Sequence, residues 1–322
     1  MLRLIGAVFK IRQREVVLMK LKFENAGYTQ PDPFILEDGD KFYIYATSID
    51  GAKLYSSDSV TGPYKYEGIV CTVDGFIDCW APCVIKIDKK YYMYFSVERE
   101  EKPRTYAQRL FVAESDSPLG PFVNPKQLYD YFSIDAHVVK TEAGLFLWYA
   151  VDIDEPGMDK VGTRVCLDRL IDPYTPANEM KQVILPSFPE ERSKTKEENG
   201  YEWYTLEGPF WFEQDGWQYV MFSGACFEND SYHLNYAAAK TDEQDLMKVD
   251  YVKHSLNGKF DPLLIKNDTE EGTGHHSLIK INGQYYVIYH GRDLDAPKSG
   301  EQRTARIAKL HVNDGVLTIE RM

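Results

Sequence analysis

Short apolar runs rich in aromatic residues alternate with polar breaks along this chain, and five of the runs stand in one fixed relation to an upstream residue. Phe42–Tyr45, Tyr91–Tyr94, Leu145–Trp148, Trp217–Val220 and Tyr285–Ile288 begin ten positions after Asp32, Ala81, Asp135, Glu207 and His275, respectively. Between leader and run lies a turn signal: Asp38-Gly39-Asp40, Asp88-Lys89-Lys90, Ala143-Gly144, Asp215-Gly216 and Asn282-Gly283. Each unit reads as a strand, a tight hairpin and a second strand. The leaders are spaced 49, 54, 72 and 68 residues apart, which is the length of a four-stranded propeller blade with outer loops of varying size. The pattern predicts an all-β chain folded as a five-bladed β-propeller of four-stranded antiparallel blades. This catalytic domain covers residues 23–322, behind an N-terminal extension at 1–22. The first strand of a blade lies against the axis, so Asp32, Asp135, Glu207 and His275 are expected to meet at an axial mouth. Helical periodicity is nearly absent, and 241–248 is at most a turn or two.

Composition narrows the partners. No Gly/Ser- or Pro-rich break divides the 322 residues, which favours one domain. Aromatics make up 14% and tyrosine is the commonest of them at 23 copies, as suits stacked sheets whose rim binds something polar. A net charge of -13 argues against nucleic acid and anionic membranes, because no Lys/Arg run offsets phosphate charge. A neutral ligand is compatible with it. The five cysteines, at 71, 79, 83, 166 and 226, are odd in number and scattered, which fits a reduced, cytoplasmic setting. Cys79 and Cys83 read as buried thiols, since no second Cys or His pair stands at metal-ligand spacing.

No apolar run reaches the length of a membrane span. The N-terminal apolar stretch is interrupted by Lys10 and Arg12 and lacks a small-residue cleavage site, so it does not read as a signal peptide. Arg14-Glu15-Val16, which AGG-GAG-GTN can encode, precedes Met19 by a few codons. Two readings stand: the natural start is Met19, or the segment is a strand that closes the last blade.

Inverting glycoside cleavage needs a base that activates water on one face of the sugar and an acid that protonates the leaving oxygen on the other, roughly 6.5 to 9.5 Å apart. Asp32 and Glu207 lead non-adjacent units. Asp32, between Pro31 and Pro33, suits the base. Glu207 suits the acid if its pKa is lifted, since an ordinary Glu is only ~0.2% protonated at pH 7. Apolar Leu206 and Phe210 and a nearby negative charge, with Asp135 its obvious source, would push in that direction.

Five short motifs now carry a resemblance. Asp32-Pro33, Trp80-Ala81-Pro82, Ile134-Asp135-Ala136, Glu207-Gly208-Pro209 and Thr273-Gly274-His275, in this order across nearly the whole chain, together resemble glycoside hydrolase family 43. The resemblance implies a five-bladed propeller, inversion, and action on arabinose- or xylose-containing polysaccharides or oligosaccharides. It gives Asp32 as general base, Asp135 as pKa modulator and Glu207 as general acid. It suggests that Trp80 lines the sugar subsite and that Arg303 reaches the substrate, with Arg292 and Arg306 as rivals. His275 resembles the family histidine at the axial channel, where some members hold calcium or a similar ion through water. No cage of oxygen ligands is evident here, so no cofactor is required and His275 reads as hydrogen-bonded beside the acids, with a calcium or other ion held through water in the axial channel as the lesser alternative. Only the spacing chooses His275 over His276. Position 83, commonly acidic or polar in the family, is Cys. His137 reads as a packing residue, and the insertion at 176–202 as a rim loop whose Tyr201, Trp203 and Tyr204 are sugar platforms or anchors. A loop at 227–232 is a second candidate for the mouth.

The leading expectation is an exo-acting, inverting hydrolase that releases terminal α-L-arabinofuranosyl residues from arabinan- or arabinoxylan-derived oligosaccharides. The rival is a β-xylosidase on xylo-oligosaccharides, and a remoter one is a sugar-binding propeller without catalysis. A retaining fructosidase fits poorly, because its Asn-Asp-Pro start and Glu-Cys acid are missing. Oligomeric state is left open.

Overall fold

The computed structural model describes residues 20–25, 27–101, 107–155, 158–196, 200–297 and 300–322. Met19 and the residues before it, where the alternative start was placed, lie outside the described residues. All five predicted hairpins are present, and strands dominate.

The first sheet holds β1 (Phe34–Asp38), β2 (Lys41–Ala46), β3 (Ala52–Ser57) and β4 (Lys65–Cys71) in chain order. A second holds β5 (Phe76–Ile87), β6 (Lys90–Arg99), β7 (Arg109–Ser115) and β8 (Val123–Gln127). The next strands are β9 (Ile134–Thr141), β10 (Gly144–Ile153), β11 (Gly162–Asp172), β12 (Thr175–Pro176), β13 (Lys181–Ile184), β14 (Arg192–Lys194), β15 (Trp203–Gln214), β16 (Trp217–Gly224), β17 (His233–Lys240) and β18 (Val252–Lys253). These ten form a single sheet, where two separate blades were expected. The reason is local. β9 to β11 and β15 to β18 are each antiparallel, and a short parallel pairing, Gly162 with Tyr204 and Thr163 with Thr205, joins them. A Cβ on Gly162 would lie 1.9 Å from the Tyr204 carbonyl oxygen, so glycine is what permits the join. The last sheet holds β19 (Glu270–Ile281), β20 (Gln284–Asp293), β21 (Thr304–Asn313) and β22 (Val316–Arg321).

Turn chemistry explains the hairpins. Asp215-Gly216 and Asn282-Gly283 hold positive φ at both residues, the backbone that matches the twist of the flanking strands. The only helical turn within 241–248 is a 3-10 turn at Leu246–Lys248.

Packing arranges the units cyclically. The opening strands β1, β5, β9, β15 and β19 neighbour one another in that order, and β19 returns to β1. Five apolar clusters fill the five junctions: Tyr45 and Leu54 meet Met93 and Phe95, Tyr94 and Val112 meet Leu147, Trp148 and Val165 meet Val220, Met221 meets Val287, and Ile288 and Ile307 meet Ile44 and Tyr55. Buried tyrosines tie neighbours together by their hydroxyls. Tyr45 donates to the Pro118 carbonyl at 2.6 Å and Tyr94 to that of Pro173 at 2.7 Å, so each buried ring contributes roughly 1.5–3 kcal/mol without an orphaned hydroxyl. The segment from residue 20 lies in the last junction. Lys20 bridges Arg306, the Leu21 N–H donates to the Ala305 carbonyl, and Phe23 packs on Tyr55 and Tyr64. Among the described residues no helix is long and apolar enough to cross a membrane.

Candidate active site

The ten-residue spacing marks a backbone feature. Asp32, Ala81, Asp135 and His275 have φ of 53°, 45°, 59° and 39°, the left-handed region that non-glycine residues seldom occupy. In the fourth unit Gly208 takes this role, at φ 58°, one residue after Glu207. Register shifts in β5, β15 and β19, and in β10 opposite β9, accompany these residues. Such bulges re-aim side chains out of the pleat. Four leaders and the residues after them, with Gly208 to Phe210 from the fourth unit, line one narrow cavity: Asp32 to Phe34, Ala81 to Cys83, Asp135 to His137, and His275 with His276; Glu207 itself stands outside its lining.

Asp32 sits in a dense polar setting. Thr47 Oγ1 donates to its Oδ2 at 2.6 Å and accepts the Ala81 N–H at 2.8 Å. The Asp32 N–H donates to His290 Nδ1 at 3.1 Å. Arg303 Nη1 lies 3.1 Å from Oδ1, while its Nε and Nη2 are gripped by Glu301, a fork that aims the remaining nitrogen. Burial alone would raise the Asp32 pKa, but the Arg303 guanidinium, with His275 adding, outweighs it and holds the carboxyl well below the usual carboxylate range.

Asp135 and Glu207 behave oppositely. Asp135 Oδ2 accepts the Gly208 N–H at 3.0 Å, yet burial, reinforced by the charges of Glu207 and Asp32, pushes its pKa well up. Burial likewise pushes Glu207 up to about 7, against the pull of a 2.7 Å hydrogen bond from the Tyr232 hydroxyl and with a further push from Asp32. Sequence reasoning placed the charge acting on Glu207 at Asp135; the larger charge effect comes from Asp32, which stays ionised.

His275 stands between the carboxyls, its Nδ1 3.5 Å from Asp32 Oδ1 and 3.6 Å from Asp135 Oδ2. The His275 backbone N–H donates to Ser223 Oγ at 2.8 Å. His276 lines the same cavity, near Phe210, and His137 stacks on Phe210 at 3.9 Å. Cys83 lines the same cavity with its thiol pushed up to about 12 by burial. Among the described residues no three His, Cys, Asp or Glu side chains are grouped to hold a metal ion.

Three arginines were candidates and the structure separates them. Arg303 reaches Asp32. Arg306 is buried against Glu270 and Asp293, and Arg292 donates to the carbonyls of Phe227 and Asn229, pinning that loop. Phe227 in turn lies on the Arg303 guanidinium, 4.4 Å from its ring centre. Trp80 is half-buried beside Ala81, between two register shifts of β5. Tyr204 is buried and donates to Glu202, whereas Tyr201 is exposed and edge-packed on Trp203. A larger, open groove of about 680 Å³ runs between Trp217, Tyr236, Lys253 and Val316; no carboxyl of the cluster lines it, and Lys240 and Gly315 already crowd Trp217.

Sequence reasoning missed Thr47, His290 and Ser223. They follow Asp32, His275 and Glu207 by 15, 15 and 16 residues, because each second strand returns antiparallel to the end where its leader stands. A second spacing rule, fifteen residues with one added for a bulge, would have found them.

Comparison with known proteins places this geometry. The family Glycosyl hydrolases family 43 matches residues 27–317, and the chain belongs to it. It is 26% identical over 305 residues to Alpha-L-arabinofuranosidase B of Pyricularia oryzae (strain 70-15), covering 87% of this chain and 59% of that protein. The chain thus spans 59% of the length of this curated relative. A solved thermostable family-43 glycoside hydrolase is similar at TM-score 0.76 and 27% identity, over 92% of this chain and 95% of that one. A structure named endo-1,4-beta-xylanase from Bacteroides thetaiotaomicron VPI-5482 is similar at TM-score 0.70 and 24% identity, over 95% and 97% of the two chains.

Proposed function

We propose that this glycoside hydrolase is a five-bladed propeller that removes terminal α-L-arabinofuranosyl residues from arabinose-containing oligosaccharides with inversion. Supporting the propeller are the closed cycle of opening strands and the apolar clusters at five junctions. Supporting the chemistry is one contrast among the carboxyls: Arg303 holds Asp32 ionised, while burial holds Glu207 at about 7.

In this reading Asp32 is the general base and Glu207 the general acid. Asp32 takes a proton from water as the water oxygen bonds to the anomeric carbon. The bond from that carbon to the leaving oxygen breaks, and its electron pair takes the proton from Glu207. Glu207 is then ionised and Asp32 protonated, and exchange with solvent resets both. Asp135, fixed by the Gly208 N–H, is the modulator that keeps a third carboxyl beside the acid. Arg303 and Trp80 contact the sugar, the guanidinium through hydroxyls and the indole through its apolar face. His275 fixes the carboxyls from between them. The curated relative's name supports arabinofuranose over xylose as the sugar. The five unpaired thiols support a reducing, cytoplasmic place of work.

Paired assays with nitrophenyl α-L-arabinofuranoside and nitrophenyl β-D-xyloside test the specificity. Faster release from the first is expected. Release from the xyloside alone would overturn the choice of sugar.

A further inference from the structure

Tyr232 was singled out in sequence only as the end of a loop, yet it is buried, at 1% exposure, and joins both sides of the site. Its hydroxyl donates to Glu207 Oε1 at 2.7 Å, and Ser223, which already accepts the His275 N–H, is hydrogen-bonded to the same hydroxyl. Its ring lies parallel to His290, 5.6 Å between centres and 6° between planes, and His290 accepts the Asp32 N–H. One phenol therefore spans from the acid to the residue that fixes the backbone of the base. The fold makes room for it deliberately at one point: a Cβ on Gly274 would fall 2.1 Å from the Tyr232 ring, closer than any side chain tolerates.

A carboxylic acid has two oxygens, and only one can face the leaving group. We propose that Tyr232 is the positioning residue of the acid: by donating to Oε1 it commits that oxygen to acceptance, so that Oε2 carries the proton delivered to the glycosidic oxygen. This rests on the reading of Glu207 as the acid. The donated hydrogen bond also favours the ionised carboxylate, and it acts among the other groups that bear on Glu207, namely Asp32, Asp135, Asp152 and Arg303.

The test is Tyr232→Phe, which keeps the ring on His290 and against Gly274 and deletes only the hydroxyl. Three readouts are taken with parent and Glu207→Gln enzymes alongside. With an arabino-oligosaccharide, kcat of Y232F is expected to fall about tenfold or more, as for loss of a hydrogen bond to a charged group. With a dinitrophenyl glycoside, whose leaving group needs no proton, the fall should be smaller. The basic limb of kcat/KM should move upward by about one to two pH units, because the ionised acid has lost its donor. A merely structural tyrosine would leave that limb in place. If Y232F keeps the parental limb and a kcat within about twofold of the parent while E207Q is inactive on the oligosaccharide, the role of Tyr232 is refuted and the acid stands. If E207Q itself retains oligosaccharide turnover, the reading of Glu207 falls, and that of Tyr232 with it.

Discussion

At Asp32 an uncommon backbone conformation and a common ion pair act together. The left-handed φ turns the carboxyl out of the strand, and Arg303, itself clasped by Glu301, keeps it charged. Glu207 receives the opposite treatment: among the described residues no lysine or arginine forms a salt bridge with it, and the Tyr232 hydroxyl donates to it at 2.7 Å. On the proposed roles, activity needs Asp32 ionised and Glu207 protonated. Turnover should therefore hold from mildly acidic pH and decline as pH rises through about 7, where Glu207 loses its proton. Arg303→Ala shifts a pKa in the same direction as Y232F but on the opposite limb, narrowing the active pH range where Y232F widens it. Losing the cation raises the Asp32 pKa, so the acidic limb should move upward by about one to three pH units while the basic limb changes less. A pH profile of kcat/KM for R303A checks this, and an unmoved acidic limb would remove Arg303 as the partner of the base. Asp32, Asp135 and Glu207 were legible in the sequence because each leads a repeat. Tyr232 was not, since it lies in the loop before β17 and is brought to Glu207 by the return of that strand, which no ten-residue rule describes.

The recurring element is a strand entered through a left-handed residue, with a register shift in all but the first unit, that turns at a hairpin and comes back. Its apolar run and turn residues are local signals, so all five hairpins could be read directly from Phe42–Tyr45 and its counterparts. The left-handed residue has no such signature: it is Asp at 32 and 135, Ala at 81 and His at 275, and in the fourth unit a glycine, at 208. That glycine also approaches the site closely. A Cβ there would lie 3.3 Å from His275 Nδ1, and its N–H holds Asp135. Gly208→Ala is expected to cost about 1 kcal/mol from the positive φ, read as a drop of a few degrees in Tm, and to lower kcat with little change in KM as Asp135 and His275 are displaced. An unchanged Tm and kcat would show that the fourth bulge neither stores strain nor places the modulator. The ten-stranded sheet illustrates a different limit of sequence reading. Whether β11 and β15 pair depends on the missing side chain at Gly162 and on the path of the insertion between them, and neither follows from periodicity.

Across the whole molecule, the cyclic order of sheets converts sequence separation into proximity. Residue 32 and residue 303 are at opposite ends of the chain, but the segment from Lys20 runs along β21 and sets them against each other through Gln30, whose N–H donates to the Arg303 carbonyl at 3.0 Å and whose side chain accepts from the Ala305 N–H at 3.3 Å. Closure and chemistry thus share one junction. The count of repeats was enough to foresee five hairpin units, whose opening strands neighbour one another in chain order with β19 against β1, but not that ten strands would form a single sheet. Which sugar the site accepts was not legible, since side chains outside the repeat, such as Trp80, Phe227 and Tyr201, obey no common spacing.

The central claim is that Asp32 and Glu207 flank one glycosidic bond with a water between base and sugar, and the stereochemistry of the first product reports on this directly. Proton NMR of the pentose released from nitrophenyl α-L-arabinofuranoside, recorded before mutarotation, should show the β-anomer appearing first. Initial appearance of the α-anomer, or no arabinose at all, would contradict the account.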